Sequence, residues 1–157
     1  MIKIIAIGNL LMCDDGVAIK VIDYIKANIE KLDLGIECIE AETDINFALD
    51  SVENGDFIFI IDSTLIGLKC GQITQISLEK VDKYFKNSFS SHNMSLPLAL
   101  NSLRINVNGI IIGIEVNKVE FGLGISKELK KRFNEVCNEI YEIIKKRSLE
   151  YIEGKRE

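Results

Sequence analysis

Continuous apolar runs alternate with amphipathic stretches along most of the chain. Ile2–Ile7 is apolar except for Lys3 and ends at Gly8-Asn9, as expected of a strand buried on both faces. Val17, Val21, Ile22, Ile25 and Ile29 then recur at helical spacing, with Lys20, Asp23, Lys26 and Glu30 between them. A second strand, IECIEA, follows Gly35. Ile45–Val52 reads as a short helix closed by Asn54-Gly55. FIFIID, residues 57–62, is the most strongly buried-looking strand. QITQISL, after a turn bracketed by Gly67 and Gly71, alternates like a half-exposed one. Residues 79–91 are polar, with a weak helical turn at Val81–Phe85. Leu96, Ala99, Leu100 and Leu103 then form one helical stripe. Asn108-Gly109 turns into IIIGIEV, a fifth strand. Ser126 is placed to cap a last helix whose apolar face is Leu129, Phe133, Val136, Cys137, Ile140 and Ile144. The charged segment after it, 145–157, is expected to fray.

The order βαβαβ-β-αβα, with apolar strands between amphipathic helices, predicts one α/β domain over residues 1–157. Its sheet should be five-stranded, mainly parallel and covered on both faces. The link 63–71 is too short for a parallel crossover, so the fourth strand is expected to pair antiparallel with the third.

Charge and cysteine usage narrow the function. A net charge of -5 disfavours nucleic acid as a partner, since displacing phosphate counterions needs a basic surface. The apolar runs fall well short of the roughly 20 residues that span a bilayer, which argues against a membrane partner. The N-terminus lacks a small-residue cleavage site and reads as a first strand, not a signal peptide. Cys13, Cys38, Cys70 and Cys137 form no CxxC pair, so reduced cysteines in the cytoplasm are the simplest expectation.

Ligands of open α/β sheets bind at the carboxyl ends of the parallel strands. Three candidate residues can reach that edge. The turn GNLLMCDDG after the first strand lacks dinucleotide-binding glycines, and its acids would repel a pyrophosphate. One of Asp14 and Asp15 can cap the helix, leaving the other to face the cleft. Asp62 ends FIFIID, where the bland alternative is a strand-terminating acid bonded to backbone amides. His92 is the only histidine and Pro97 the only proline. An isolated exposed histidine ordinarily has no role. Residues 79–91, however, can reach back across the domain, roughly 43 Å when extended. Ser95 can cap the helix behind it, with Pro97 tolerated in the first turn. Two carboxylates and an imidazole would form an open O,O,N set suited to Ni, Zn, Fe or Mn.

Taken in order, G-N-x-x-x-x-D-D-G after the first strand, IDST after the third, and SHNMSL before a helix resemble the hydrogenase maturation endopeptidases. The likeness is greatest to the type that processes the large subunit of formate hydrogenlyase hydrogenase, and it extends through GLKCGQITQIS and GIEVNKVEFGLGIS. The resemblance implies a three-layer α/β/α fold with a mixed, twisted sheet. It also implies removal of a C-terminal extension from the nickel-loaded precursor of a [NiFe]-hydrogenase large subunit, by a monomer. By position, Asp15, Asp62 and His92 would contact the metal, and Asp15 and Asp62 would be catalytic. Nickel would be carried by the substrate, with other divalent metals able to substitute. Either the metal polarises the scissile carbonyl, or it only positions the precursor while a carboxylate acts as base. Three positions depart from the pattern. Ala6 stands in GxGN, Glu40-Ala41-Glu42-Thr43 stands for DGG[ST], and Val116 replaces a proline. The altered loops motivate an alternative, a non-catalytic metal- or peptide-binding module on the same fold.

Overall fold

The computed structural model describes residues 1–81 and 95–156. Its elements are β1 (Ile2–Ile7), α1 (Val17–Glu30, entered through a 3-10 turn at Cys13–Gly16), β2 (Ile36–Glu42), α2 (Ile45–Asp50), β3 (Phe57–Thr64), β4 (Ile73–Ser77), α3 (Ser95–Ser102), β5 (Asn108–Glu115) and α4 (Lys127–Gly154). They form the expected mixed, mainly parallel five-stranded sheet, in the order β2-β1-β3-β5-β4. The expected helical turn at 81–85 runs beyond Val81 into residues outside the described set. His92 and the Ser95 side chain also lie outside it.

Strand alternation sorts the apolar side chains onto two faces. Ile4, Ala6, Phe59, Ile61, Ile110, Ile112 and Ile114 pack with α1 and α4. Ile5, Ile7, Ile58, Ile60, Ile76 and Ile111 pack with α2 and α3. Every residue of β1 is buried, which is why that stretch shows no polar alternation.

Two expectations are corrected. β4 is antiparallel, but its partner is β5 rather than β3. β3 is already paired on both edges, with β1 and β5, both parallel. The link after β3 therefore passes over the end of β5 to the next free edge. Two strand spacings amount to about 10 Å, well within reach of that link. Gly113 permits the close packing there: a Cβ on it would meet Thr74 Oγ1 at 2.5 Å and Thr64 Cγ2 at 2.7 Å.

The charged C-terminal segment does not fray. α4 runs 28 residues to Gly154, and Ser148 within it is fully buried. The Tyr151 ring lies 4.6 Å from that of Phe57, its hydroxyl donates to the Gly55 carbonyl at 3.0 Å, and Lys155 Nζ sits 4.5 Å over its face. The apolar stripe simply continues at helical spacing through a charged composition. No helix among the described residues is long and apolar enough to cross a membrane.

At the amino edge of the sheet, Asp56 and Lys3 form a buried ion pair of 2.9 Å. Asp56 also accepts from the N-terminal ammonium at 2.7 Å and from Glu53 N–H at 2.9 Å, while Lys3 Nζ donates to the Ser51 carbonyl at 2.6 Å. Burial alone would raise the Asp56 pKa. The ammonium, the amide and Lys3 outweigh it and hold the carboxyl down to about 2. Its folded pKa thus lies below the ordinary 3.8, so its contribution to stability is present above that value and is lost as pH falls toward 2. Replacing Asp56→Asn strands the Lys3 charge and should cost about 3 kcal/mol in urea unfolding at pH 7. The gap between the two proteins should close on acidification through the same window.

Candidate active site

The carboxyl ends of β1, β3 and β5 open onto one edge, and the first turn brings two adjacent acids there in opposite senses. Asp15 accepts from Asn9 N–H at 2.9 Å and from the Ser63 hydroxyl at 2.7 Å. The turn is compact because Gly8 passes directly against the Asp15 carbonyl, leaving no room for a side chain. Asp62 is buried on β3, where it is paired with Gly113 two residues before the strand ends. It therefore sits deeper than a rim acid. One of its oxygens accepts from Ser63 N–H at 2.7 Å. Ser63 thus touches both carboxylates, through its amide on one side and its hydroxyl on the other. Burial pushes the Asp62 carboxyl well above the usual range, and the negative charge of Asp15 adds to this against the lowering effect of the Ser63 amide.

Asp14 does not cap α1, and neither does Asp15. Gly16 occupies the position before that helix, with no side-chain cap. Asp14 is fully buried and points the other way. It accepts from Asn117 N–H at 3.0 Å, Lys118 N–H at 2.9 Å, Ser126 N–H at 2.5 Å and the Ser126 hydroxyl at 2.8 Å. Ser126 in turn caps α4 as expected, accepting from Leu129 N–H at 3.3 Å. The segment 117–126 is therefore stitched to the turn that carries Asp15.

A third acid, Glu115, is buried at the end of β5 and accepts from Ile66 N–H at 2.7 Å, fixing the turn after β3. Nothing in the local pattern distinguished Glu115 or Ser63 from ordinary strand residues. For Asp14 there was one signal, since two neighbouring acids on a tight turn cannot share one direction.

The departures from the family pattern have local explanations. Ala6 is fully buried in the core beside a register shift. Glu42 stands where a glycine is expected and does take a left-handed backbone, φ 51°, a strain of about 1 kcal/mol for a residue with a Cβ. Its carbonyl accepts from Gly8 N–H at 2.9 Å, joining the exits of β1 and β2. Glu42 is exposed at the cleft edge. Val116 is buried, and its N–H donates to the Thr64 carbonyl, a bond that proline could not make.

Of the three residues expected to form a metal set, the structure brings Asp15 and Asp62 together, and His92 lies outside the described residues. Among the described residues, no group of three His, Cys, Asp or Glu side chains is arranged to hold a metal.

The class defined by the fold and site is a single-sheet α/β protein with paired acids at its carboxyl edge, and comparison with known proteins specifies the family. The hydrogenase maturation protease profile matches residues 19–143. Two Methanocaldococcus jannaschii proteins described as hydrogenase maturation proteases are 30% and 28% identical, over 93% and 92% of this chain and 89% and 97% of theirs. The [NiFe] hydrogenase maturation protease HybD from Thermococcus kodakarensis superposes with a TM-score of 0.73 at 25% identity, covering 91% of this chain and 98% of that one. The hydrogenase maturating endopeptidase HybD from E. coli shares the fold, with a TM-score of 0.75 at 17% identity over 92% of each chain. The chain belongs to the hydrogenase maturation protease family and is a peptidase.

Two substitutions test the opposed roles of the acids. Asp14→Ala removes a buried acceptor from four donors and should cost about 3 kcal/mol in chemical denaturation, against about 1 for loss of a helix cap. Asp62→Asn, measured with a chelator present, should do the reverse at pH 7, raising stability on the order of 1 kcal/mol. The sign follows from the raised pKa. The folded state holds its proton more tightly than the unfolded chain, so the wild type loses stability as pH rises from 3.8 through the folded pKa. The advantage of Asp62→Asn should therefore vanish below about pH 4.

Proposed function

We propose that the protein removes the C-terminal extension of a [NiFe]-hydrogenase large-subunit precursor, acting in the cytoplasm as a monomer on the nickel-loaded form. The observation that carries this reading is the Asp15–Ser63–Asp62 arrangement at the carboxyl ends of β1 and β3. On this reading, Asp15, Asp62 and His92 contact nickel that the precursor already holds, and Asp15 and Asp62 serve the cleavage. Two oxygen donors and one nitrogen, without a thiolate, accept a metal brought by a partner but hold one weakly on their own. The partner's own ligands complete the shell, which ties binding to the loaded state.

Three of the four cysteines are poorly suited to act as thiolate nucleophiles. Burial raises the thiols of Cys38 and Cys70 and pushes Cys137 up to about 12, so none of the three offers a ready thiolate near neutral pH. Burial makes Asp62 hold its proton more tightly than an exposed carboxyl would, and an approaching cation favours its release.

The test incubates nickel-loaded and metal-free precursor separately with the protein and scores the size shift of the large subunit. Only the loaded precursor should be shortened, and Asp62→Ala or His92→Ala should abolish processing with the protein still folded. Equal cleavage of both forms would remove the metal gate and leave the peptidase. Binding of the loaded precursor without any cleavage would favour the non-catalytic module.

A further inference from the structure

Four large apolar side chains stand out from the loops framing Asp15: Leu11 at 53% exposure, Val119 at 42%, and Phe121 and Leu123 at 82% each. They are not on loose chain. Gly122 N–H donates to the Leu11 carbonyl at 2.8 Å, and Cys13 N–H donates to the Gly122 carbonyl at 2.9 Å, so Met12 and Gly122 form a β-bridge. Residues on either side of a bridged one project to the same side, which pairs Phe121 with Leu123. Gly122 packs closely on Cys13, since a Cβ there would meet Cys13 Sγ at 2.9 Å. The loop's two ends are held by the buried Asp14 carboxylate, through Asn117 and Lys118 at one end and Ser126 at the other. Leu65, just past the end of β3 and three residues after Asp62, is 64% exposed.

An exposed Phe and Leu on a rigid, hydrogen-bonded platform beside an active site form a binding surface prepared in advance, because little ordering remains to oppose association. We propose that the 119–123 loop, with Phe121 and Leu123 as anchors, is the docking site for an apolar segment of the polypeptide substrate near its scissile bond. This rests on the peptidase reading above and adds to it the residues that select the substrate. Charge favours that occupant over a second copy of the chain. The protein carries -5, and two copies meeting at this acid-bearing edge would bring like charge together. The docked segment should accordingly be apolar and free of acids where it crosses the carboxylates. Asp14 is then a positioning residue that sets the anchors at a fixed distance from Asp15.

The experiment uses the full chain and the nickel-loaded large-subunit precursor, measuring the Kd and the cleavage kinetics together. Phe121→Ser with Leu123→Ser should raise Kd and KM at least about tenfold and leave kcat at saturation within about twofold. Leu103→Ser, another exposed leucine, just after α3, should change neither. Thermal unfolding should show all three proteins equally folded. Wild-type affinity in the double variant would overturn the proposal. So would a wild-type dimer in sedimentation that the double variant dissociates, which would make a second copy the occupant. If wild type binds the precursor without cutting it and the double variant loses binding, the surface stands and the cleavage reading fails. If wild type binds no precursor, both fall.

Discussion

A buried carboxylate must find donors or lose its charge, and in this protein Asp14 finds four of them a hundred residues away in sequence. That demand joins the first turn of the chain to the segment between β5 and α4. It fixes where α4 begins, since the Ser126 cap is one of the donors. It also frees Asp15, the next residue, to face the opposite way. With backbones held on both sides of the turn, Asp15 needs only Asn9 and Ser63 to be oriented toward Asp62. The turn is thus assembled by one acid that anchors it to the 117–126 segment and a second that faces the strand ends because the first is anchored.

The two ends of the sheet use charge in contrasting ways. At the amino edge, Asp56 is surrounded by cations and an amide, and its pKa is held down to about 2. Pairing there outweighs desolvation, and the charge supports the fold. At the carboxyl edge, Asp62 is buried without a cation among its described partners and beside another acid, so its pKa rises. Such an arrangement is unfavourable for stability and is the kind of strained electrostatics found where a group is set aside for chemistry or for a cation supplied from outside. The same residue type has its pKa lowered at one end and raised at the other, and the difference lies only in what faces it.

Much of this was legible in one dimension. The unbroken apolar runs of β1, β3 and β5 announce a parallel sheet buried on both faces, because a strand covered twice has no polar side to show. The stripe of α1 and the Ser126 cap are local patterns, and local hydrogen bonding enforces them. Asp15 and Asp62 could be placed at the cleft because any residue at the exit of a parallel strand lies at the same edge. The charged composition of 145–157 misled, since charge density hid an apolar stripe that continues to Tyr151.

Tertiary structure decided the rest. The partner of β4 depends on which edge was vacant after β3 and β5 had paired, a fact about the whole sheet that no local pattern carries. The roles of Asp14 and Asp15 also could not be divided by reading them, because both are acids on one turn and their assignment is made by loops 103 to 112 residues further on. Ser63 and Glu115 gained their parts in the same way, from what other strands brought beside them. Sequence by itself determined which segments would be strands and helices and which edge would hold the acids, because those follow from periodicity and chain direction. Which acid faces which donor was decided only in three dimensions, because hydrogen bonds to a buried charge are satisfied by whatever the fold places within about 3 Å, without regard to distance along the chain.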